Sequence, residues 1–241
     1  MAALEPDCFG MDVAALHQGY LRQVVARGGM PALRHRAGRI WRQDGGWRAA
    51  ASNGAVFAAP VLVNAAGACG DAAAALAGVP VLGLQPKRRT ACLIDPGGHD
   101  CADWPLLGDV DHSWYVWPEA RRKLMVSPAD ETDSPPLDAQ PEALEVAIAI
   151  DRMQQALDIP VTRIGHQWAG LRSVTPDRGL AIGEAAERGF FWMVGQGGYG
   201  MQTAPAAGRL LASPVNNTTP DADLAAAVPL SDPRRFERTA A

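Results

Sequence analysis

A glycine-rich loop close to the C-terminal end constrains this chain more than any other feature. Gly195–Gly200 (GQGGYG) follows Phe190–Val194, an apolar run that predicts a strand, and precedes Ala204–Leu211, which predicts a helix. The N–H groups and the positive end of a helix N-terminus favour an anionic or strongly accepting ligand atom. The loop is therefore compatible with a phosphate, with a carbonyl oxygen that gains charge, or with a tight turn that binds nothing.

The loop also matches the dinucleotide pattern G-x-G-x-x-G, but its surroundings do not fit. A dinucleotide-binding unit continues into a second parallel strand, with an acidic residue about 20 positions after the glycines. This chain instead runs into residues 213–241, whose Pro, Asp, Asn and Thr content predicts a poorly ordered tail. The match alone therefore does not predict a dinucleotide fold.

Composition excludes several classes of protein. The chain has 241 residues, of which 48% are apolar and 20% charged, as in globular proteins. Its net charge of −4 and its short basic clusters exclude an extended nucleic-acid-binding face. The longest apolar run, Ala55–Val63, is too short to span a membrane and contains Pro60. We therefore expect no membrane span.

The N-terminus and the cysteines indicate a reducing compartment. Glu5 and Asp7 stand where a secretory signal peptide has a positive start and an apolar run. The four cysteines form no CxxC pair, and the histidines and acids around 99–112 lack the spacing of metal ligands. We expect a cytoplasmic location, free thiols and no metal site.

Local patterns predict the main elements. Asp12 is a candidate N-cap for a helix that ends at Gly28, and Asn53-Gly54 predicts a hairpin. Ala59–Asn64 is typical of a buried strand, and Pro141 of a helix start. Further strands are predicted at 89–94, 113–117, 123–126, 161–173 and 180–183.

Two arginines and a tyrosine form a candidate anion site. Arg88 or Arg89 begins one predicted strand, Tyr115 lies within another and Arg172 ends a third. Two guanidinium groups and a hydroxyl on one face would bind a carboxylate bidentately. The alternative is that these are surface arginines and a half-buried tyrosine without a common role.

Several segments together resemble the D-amino acid oxidase superfamily of flavoproteins. Val61–Ala68 (VLVNAAGA) resembles its strand-and-turn signature, and Gly195–Thr203 (GQGGYGMQT) its C-terminal flavin-binding loop. Within the superfamily the chain is most similar to FAD-dependent D-arginine dehydrogenases. That finer likeness rests on LGLQPKRR (82–89), SPAD (127–130), DAQPE (138–142), WAGLRS (168–173) and FFW (190–192).

This resemblance implies an activity and a set of site residues. A flavin would oxidise the Cα–N bond of a D-amino acid by hydride transfer, and the imino acid would hydrolyse to a keto acid and ammonia. The substrate carboxylate would bind Arg89 (with Arg88 as alternate), Arg172 and Tyr115, and the Gly198 carbonyl would accept from the amine. Residues expected to contact FAD are Ala37, Ala66, Gly67, Gly197, Gly198, Tyr199, Gly200, Met201, Gln202 and Thr203.

The resemblance also implies an α/β (α+β) fold in two parts. Residues 1–82 and 180–212 would form a partial three-layer FAD-binding domain, and 83–179 a substrate-binding domain with a mixed or antiparallel sheet. Residues 1–35 contain neither the glycine fingerprint nor the acidic ribose ligand with which family members begin. We therefore expect a missing N-terminal half, with self-association through the sheet surface that it would cover.

Three hypotheses stay open at this point. The first is a D-amino acid dehydrogenase or oxidase, and the second is a non-catalytic fragment or subunit that acts by association. The third is an amine oxidation of the glycine- or sarcosine-oxidase type. The substrate side chain and the electron acceptor are not determined by the sequence.

Overall fold

The computed structural model describes residues 9–119 and 122–236 as a mixed α/β fold, which confirms the predicted fold class. No helix within these two ranges is long and apolar enough to cross a bilayer. The helices are α1 (Val13–Ala26), α2 (Gly70–Leu76), α3 (Ala143–Ala156), α4 (Gly200–Val215) and α5 (Ala227–Ser231), with 3-10 turns at Gly67–Cys69, Ala222–Leu224 and Pro233–Arg235. The strands are β1 (Ala37–Gln43), β2 (Gly46–Ala51), β3 (Val56–Ala59), β4 (Leu62–Asn64), β5 (Gln85–Ile94), β6 (Leu107–Gly108), β7 (Tyr115–Glu119), β8 (Lys123–Ser127), β9 (Thr132–Asp133), β10 (Ile164–Val174), β11 (Ala181–Glu184) and β12 (Phe190–Val194).

The first elements follow their local signals. The Asp12 carboxylate accepts a hydrogen bond from the Ala15 N–H, which confirms the predicted cap of α1. The strands β1, β2 and β3 form an antiparallel sheet, and the turn at Asn53-Gly54 joins the last two as predicted. Gly54 has a φ of +87°, which the Asn-Gly turn requires.

The predicted strand Ala59–Asn64 is in fact two strands in two sheets. β3 ends at Ala59 in the hairpin sheet, whereas β4 begins at Leu62 and pairs in parallel with β12. Pro60 lies between them and has no N–H to continue a ladder, so the chain changes sheet there. The second sheet has the order β11-β12-β4, and Phe190 and Trp192 of its central strand β12 are fully buried.

The third sheet supports the candidate site. Its order is β10-β5-β8-β7-β6, with β9 beside β5, and all its pairs are antiparallel. Leu124, Val126 and Val116 point to one face and pack with α3 in a buried apolar cluster. Since side chains alternate along a strand, the residues between them point to the opposite, open face.

The C-terminal segment is ordered up to residue 236, so the predicted tail is wrong for residues 213–236. α4 continues to Val215, four residues beyond the predicted helix end, and Ser231 and Pro233 are buried. Arg235 binds Asp177 at 2.7 Å and the Leu180 carbonyl at 2.9 Å. Composition indicated weak local preferences, but these long-range contacts fix the segment. Residues 237–241 lie outside the described ranges.

Candidate functional site

Arg172 lies at the centre of the candidate site. It is half-buried near the end of β10, on the open face of the third sheet. A Cβ built on Gly198 would lie 3.1 Å from Arg172 Nη1, so the glycine loop directly contacts this guanidinium. Sheet and loop thus approach each other at Arg172.

The Arg172 guanidinium has no hydrogen-bond or ion-pair partner within residues 9–119 and 122–236. Burial, and then the nearby charge of Arg89, lower its pKa, while Tyr115, Glu131 and Asp130 act in the opposite direction. A half-buried cation with free donors is costly unless it is paired. The arrangement therefore favours an anionic ligand.

Arg89 shares the open face with Arg172. Lys87 pairs with Arg172 across β5 and β10, and Arg89 follows Lys87 by two residues, so all three side chains point the same way. Arg89 Nη2 lies 3.4 Å from Glu131 Oε1. The Arg89 Nε is buried and has no partner in the described structure. Both guanidinium groups therefore carry donors that no described residue satisfies.

Tyr115 completes the predicted trio. It begins β7, is half-buried and pairs with Ser127 of β8. It lies close enough to Arg172 to act on the pKa of the guanidinium. The structure thus places Arg89, Tyr115 and Arg172 together on one face.

Arg88, the predicted alternate, is not part of this group. It points to the α3 face, where it binds Glu142 and approaches Asp130 and Glu145 at 3.6 and 3.9 Å. The hydrogen bond to Glu142 is the main cause of its raised pKa. Adjacent strand residues point to opposite faces, so only one of the two arginines could join Arg172.

The glycine loop is fixed against the end of β10. The Gly197 N–H donates to the Ser173 carbonyl at 2.9 Å, one residue after Arg172. A Cβ on Gly195 would lie 2.7 Å from Thr175 Cγ2, so only glycine permits this approach. The loop then leads into α4, whose first turn contains no acidic residue. The first turn of α4 itself therefore supplies no negative charge to the positive end of the helix.

The turn after β4 lies beside the same strand. The Asn64 amide donates to the Gly70 carbonyl at 2.8 Å, and its oxygen accepts from the Ala66 N–H at 3.2 Å. Gly67 has a φ of +56° and open space where a Cβ would be. The 3-10 turn that begins at Gly67 contacts β10. The two predicted flavin-binding segments therefore converge.

The other predicted cofactor residues lie in two places. Thr203 donates its N–H and hydroxyl to the Tyr199 carbonyl at 3.1 and 2.9 Å, closing the first turn of α4. Tyr199 and Met201 are exposed. Gly200 and Gln202 belong to the same turn, whereas Ala37 begins β1 in the hairpin sheet.

Sequence reasoning missed Glu131 and Arg178. Glu131 Oε2 lies 2.8 Å from Arg178 Nη2, and the same carboxylate contacts Arg89. Arg178 follows β10 in a turn and has a φ of +62°. Neither residue has a spacing signal in the sequence, because the turns that bring them together are more than 40 positions apart in the chain.

Comparison with known proteins identifies the family. The profile described as "FAD dependent oxidoreductase" matches residues 1–213. The chain belongs to the FAD dependent oxidoreductase (DAO) family. The flavoprotein resemblance and the FAD expectation are thereby confirmed. The turn after β4 and the glycine loop, which carry the resemblance, both contact β10.

Solved structures share the fold of this DAO-family chain at low identity. Glycine oxidase from Geobacillus kaustophilus matches at TM-score 0.67 and 22% identity, over 84% of this chain and 53% of its own. Iminodiacetate oxidase from Chelativorans sp. BNC1 matches at 0.72 and 18%, over 88% and 57%. L-proline dehydrogenase from P. horikoshii matches at 0.75 and 19%, over 92% and 59%. The chain thus spans little more than half the length of these structures.

The described residues fit one end of FAD. The positive end of α4, the open space at Gly67 and the close approach of Gly198 to Arg172 form a polar cradle beside the arginines. The backbone N–H groups at the N-terminus of α4 suit a flavin carbonyl oxygen, which becomes more negative when the flavin is reduced. Residues 9–35 form α1 and loops, and this region has no strand followed by a glycine fingerprint.

Proposed function

We propose that this DAO-family chain forms the substrate half of an enzyme that oxidises the Cα–N bond of a D-amino acid. The observation that carries the proposal is Arg172, a half-buried guanidinium with no hydrogen-bond or ion-pair partner among the described residues, beside Arg89 and Tyr115. A carboxylate bound by two guanidinium groups and a phenol is held in a fixed orientation. This orientation would set Cα and its hydrogen against the glycine-loop side of the site.

The protein's part in the reaction is to bind and orient. Arg172 and Arg89 would bind the substrate carboxylate, and the Tyr115 hydroxyl would donate a hydrogen bond to it. The Gly198 carbonyl would accept a hydrogen bond from the substrate amine. When bound, FAD supplies the oxidant that takes the hydride from Cα. The amine loses a proton as the imine forms, and water then converts the imino acid to a keto acid and ammonia. Positioning is the main contribution of the named residues.

The substrate has three candidate classes. The resemblance to D-arginine dehydrogenases favours D-arginine. The open face favours a neutral side chain, because Trp117, Met125 and Leu93 pair across β7, β8 and β5 on the same face as Tyr115. The nearby Glu131 already pairs with Arg89 and Arg178, so its carboxylate is not free to bind a cationic substrate side chain. Glycine and sarcosine are the small-amine alternative.

A spectroscopic experiment tests the proposal. The purified chain is mixed with FAD and titrated without oxygen with D-arginine, D-methionine, glycine and sarcosine, while the visible flavin absorbance is followed. Where the chain retains FAD, we expect D-amino acids to bleach the flavin and their L-enantiomers to leave it unchanged. Arg172→Met should abolish bleaching, whereas Arg22→Met, on the exposed helix α1, should not.

A flavin that binds and is never reduced by any amine would contradict the oxidase proposal. A chain that retains no flavin would support the expectation that the dinucleotide end of FAD needs a unit outside residues 9–236. We also propose a cytoplasmic location, which cell fractionation would check, and a small-molecule amino acid or amine as the partner.

A further inference from the structure

We infer that Glu131 is a built-in counter-carboxylate, which occupies Arg89 until a ligand carboxylate replaces it. The inference rests on the proposed carboxylate site and adds a positioning residue to it. Glu131 contacts Arg89 and Arg178, and the charge of Arg172 also acts on the Glu131 carboxyl. It therefore lies among three guanidinium groups.

The position of Glu131 is fixed by its neighbour. Asp130 accepts hydrogen bonds from the Thr90 N–H at 2.6 Å and the Thr90 hydroxyl at 2.9 Å, and only 4% of its side chain is exposed. This contact anchors the segment after β8 to β5 and turns Asp130 toward the α3 face. The next side chain, Glu131, is thereby directed to the open face that carries Arg89.

The two contacts of Glu131 are unequal. Its Oε2 lies 2.8 Å from Arg178 Nη2, within normal charge-assisted hydrogen-bond distance, whereas its Oε1 lies 3.4 Å from Arg89 Nη2. A ligand that takes Arg89 would thus break only the longer contact. Glu131 would stay bound to Arg178, so no carboxylate is left without a partner.

The Arg178 turn is held independently of the ligand. The Arg178 N–H donates to the Thr175 carbonyl at 3.0 Å, and Asp177 binds both Arg235 and the Gly179 N–H. Because these contacts do not involve Glu131, the turn can retain the carboxylate when Arg89 is released. The exchange therefore needs only side-chain movement.

Calorimetric titration of the full chain with benzoate, a carboxylate without an amine, tests the inference. Glu131→Gln removes the competing charge but keeps an oxygen for Arg178, so we expect benzoate to bind about three- to fivefold more tightly, the range of a partly exposed ion pair. A gain of affinity cannot come from loss of structure. Glu142→Gln removes the same charge beside Arg88 on the other face and should leave the affinity unchanged.

A double-mutant cycle separates competition from general electrostatics. Arg178→Asn keeps a residue that tolerates the positive φ but leaves Glu131 entirely to Arg89, so benzoate should bind more weakly. If Arg178 acts through Glu131, the same change made in Glu131→Gln should have little effect. Equal weakening in both backgrounds would overturn the inference.

The outcomes distinguish this inference from the proposed function. If Arg172→Met abolishes benzoate binding but Glu131→Gln does not tighten it, the carboxylate site stands and the counter-carboxylate role is wrong. If benzoate does not bind the native chain, or binds Arg172→Met equally well, the proposed site itself is wrong.

Discussion

Gly198 leaves room for Arg172: a Cβ built on Gly198 would lie 3.1 Å from Arg172 Nη1, closer than ordinary side-chain contact. This close approach adds to the Gly197–Ser173 hydrogen bond that holds the glycine loop against the third sheet. The Arg172 guanidinium can keep this orientation because Gly198 has no side chain.

Gly198→Ala should therefore displace Arg172 and weaken carboxylate binding about tenfold or more, since a charge-assisted hydrogen bond contributes about 1.5–3 kcal/mol. Benzoate titration measures the change. Gly208→Ala is the matched control, because a Cβ there meets nothing within 4 Å. In the middle of α4 it should stabilise the fold by about 0.5–1 kcal/mol and leave binding unchanged.

Arg172 and Arg88 should respond to the same substitution with opposite signs. Arg172→Met removes a half-buried charge that has no partner in the described structure, so we expect the free energy of unfolding to rise by about 0.5–1 kcal/mol. Arg88→Met leaves the buried Asp130 carboxylate without its cation, and should cost about 2 kcal/mol or more. Urea unfolding measures both; a loss of stability in Arg172→Met would show that the charge is satisfied.

The thiols should differ in reactivity. Burial raises the pKa of Cys92 to about 11, and Cys101 is also buried, whereas Cys69 is exposed in the turn that begins at Gly67. A thiol reagent at pH 8 should label Cys69 and spare the other two until the chain unfolds. Mass spectrometry of a Cys8→Ser variant would count the labels on the three remaining thiols. Added FAD should slow labelling of Cys69, and unchanged labelling in a flavin-loaded sample would argue against the turn as a flavin contact.

The chain should self-associate through two exposed apolar surfaces. α1 has no buried residue, Val24 and Val25 are 47% and 55% exposed, and Val63 lies on β4 at the edge of its sheet with 42% exposed. Unpaired strand edges and apolar patches promote association. Light scattering should show species larger than one chain, and Val24→Lys with Val63→Lys should reduce them. Leu230→Lys, on the exposed side of α5, should have no effect.

Sequence signals predict those elements of the structure that depend on contacts between neighbouring residues. The Asp12 cap, the Asn53-Gly54 hairpin and the strand before Gly195 each depend on neighbouring residues, and each was predicted correctly. The pair Arg88–Arg89 was ambiguous because period-two alternation fixes only that they point to opposite faces. Which face receives the ligand depends on α3, which covers one of them.

The sequence by itself determined the family, the two flavin-type segments and the arginine and tyrosine that accompany them, because these depend on residue types in a fixed order. Only the tertiary structure decided that Arg89 shares a face with Arg172, that Glu131 contacts both Arg89 and Arg178, and that residues 213–236 are ordered. Each of these depends on strand register or on ion pairs between residues far apart in the chain, and neither is encoded in local preference.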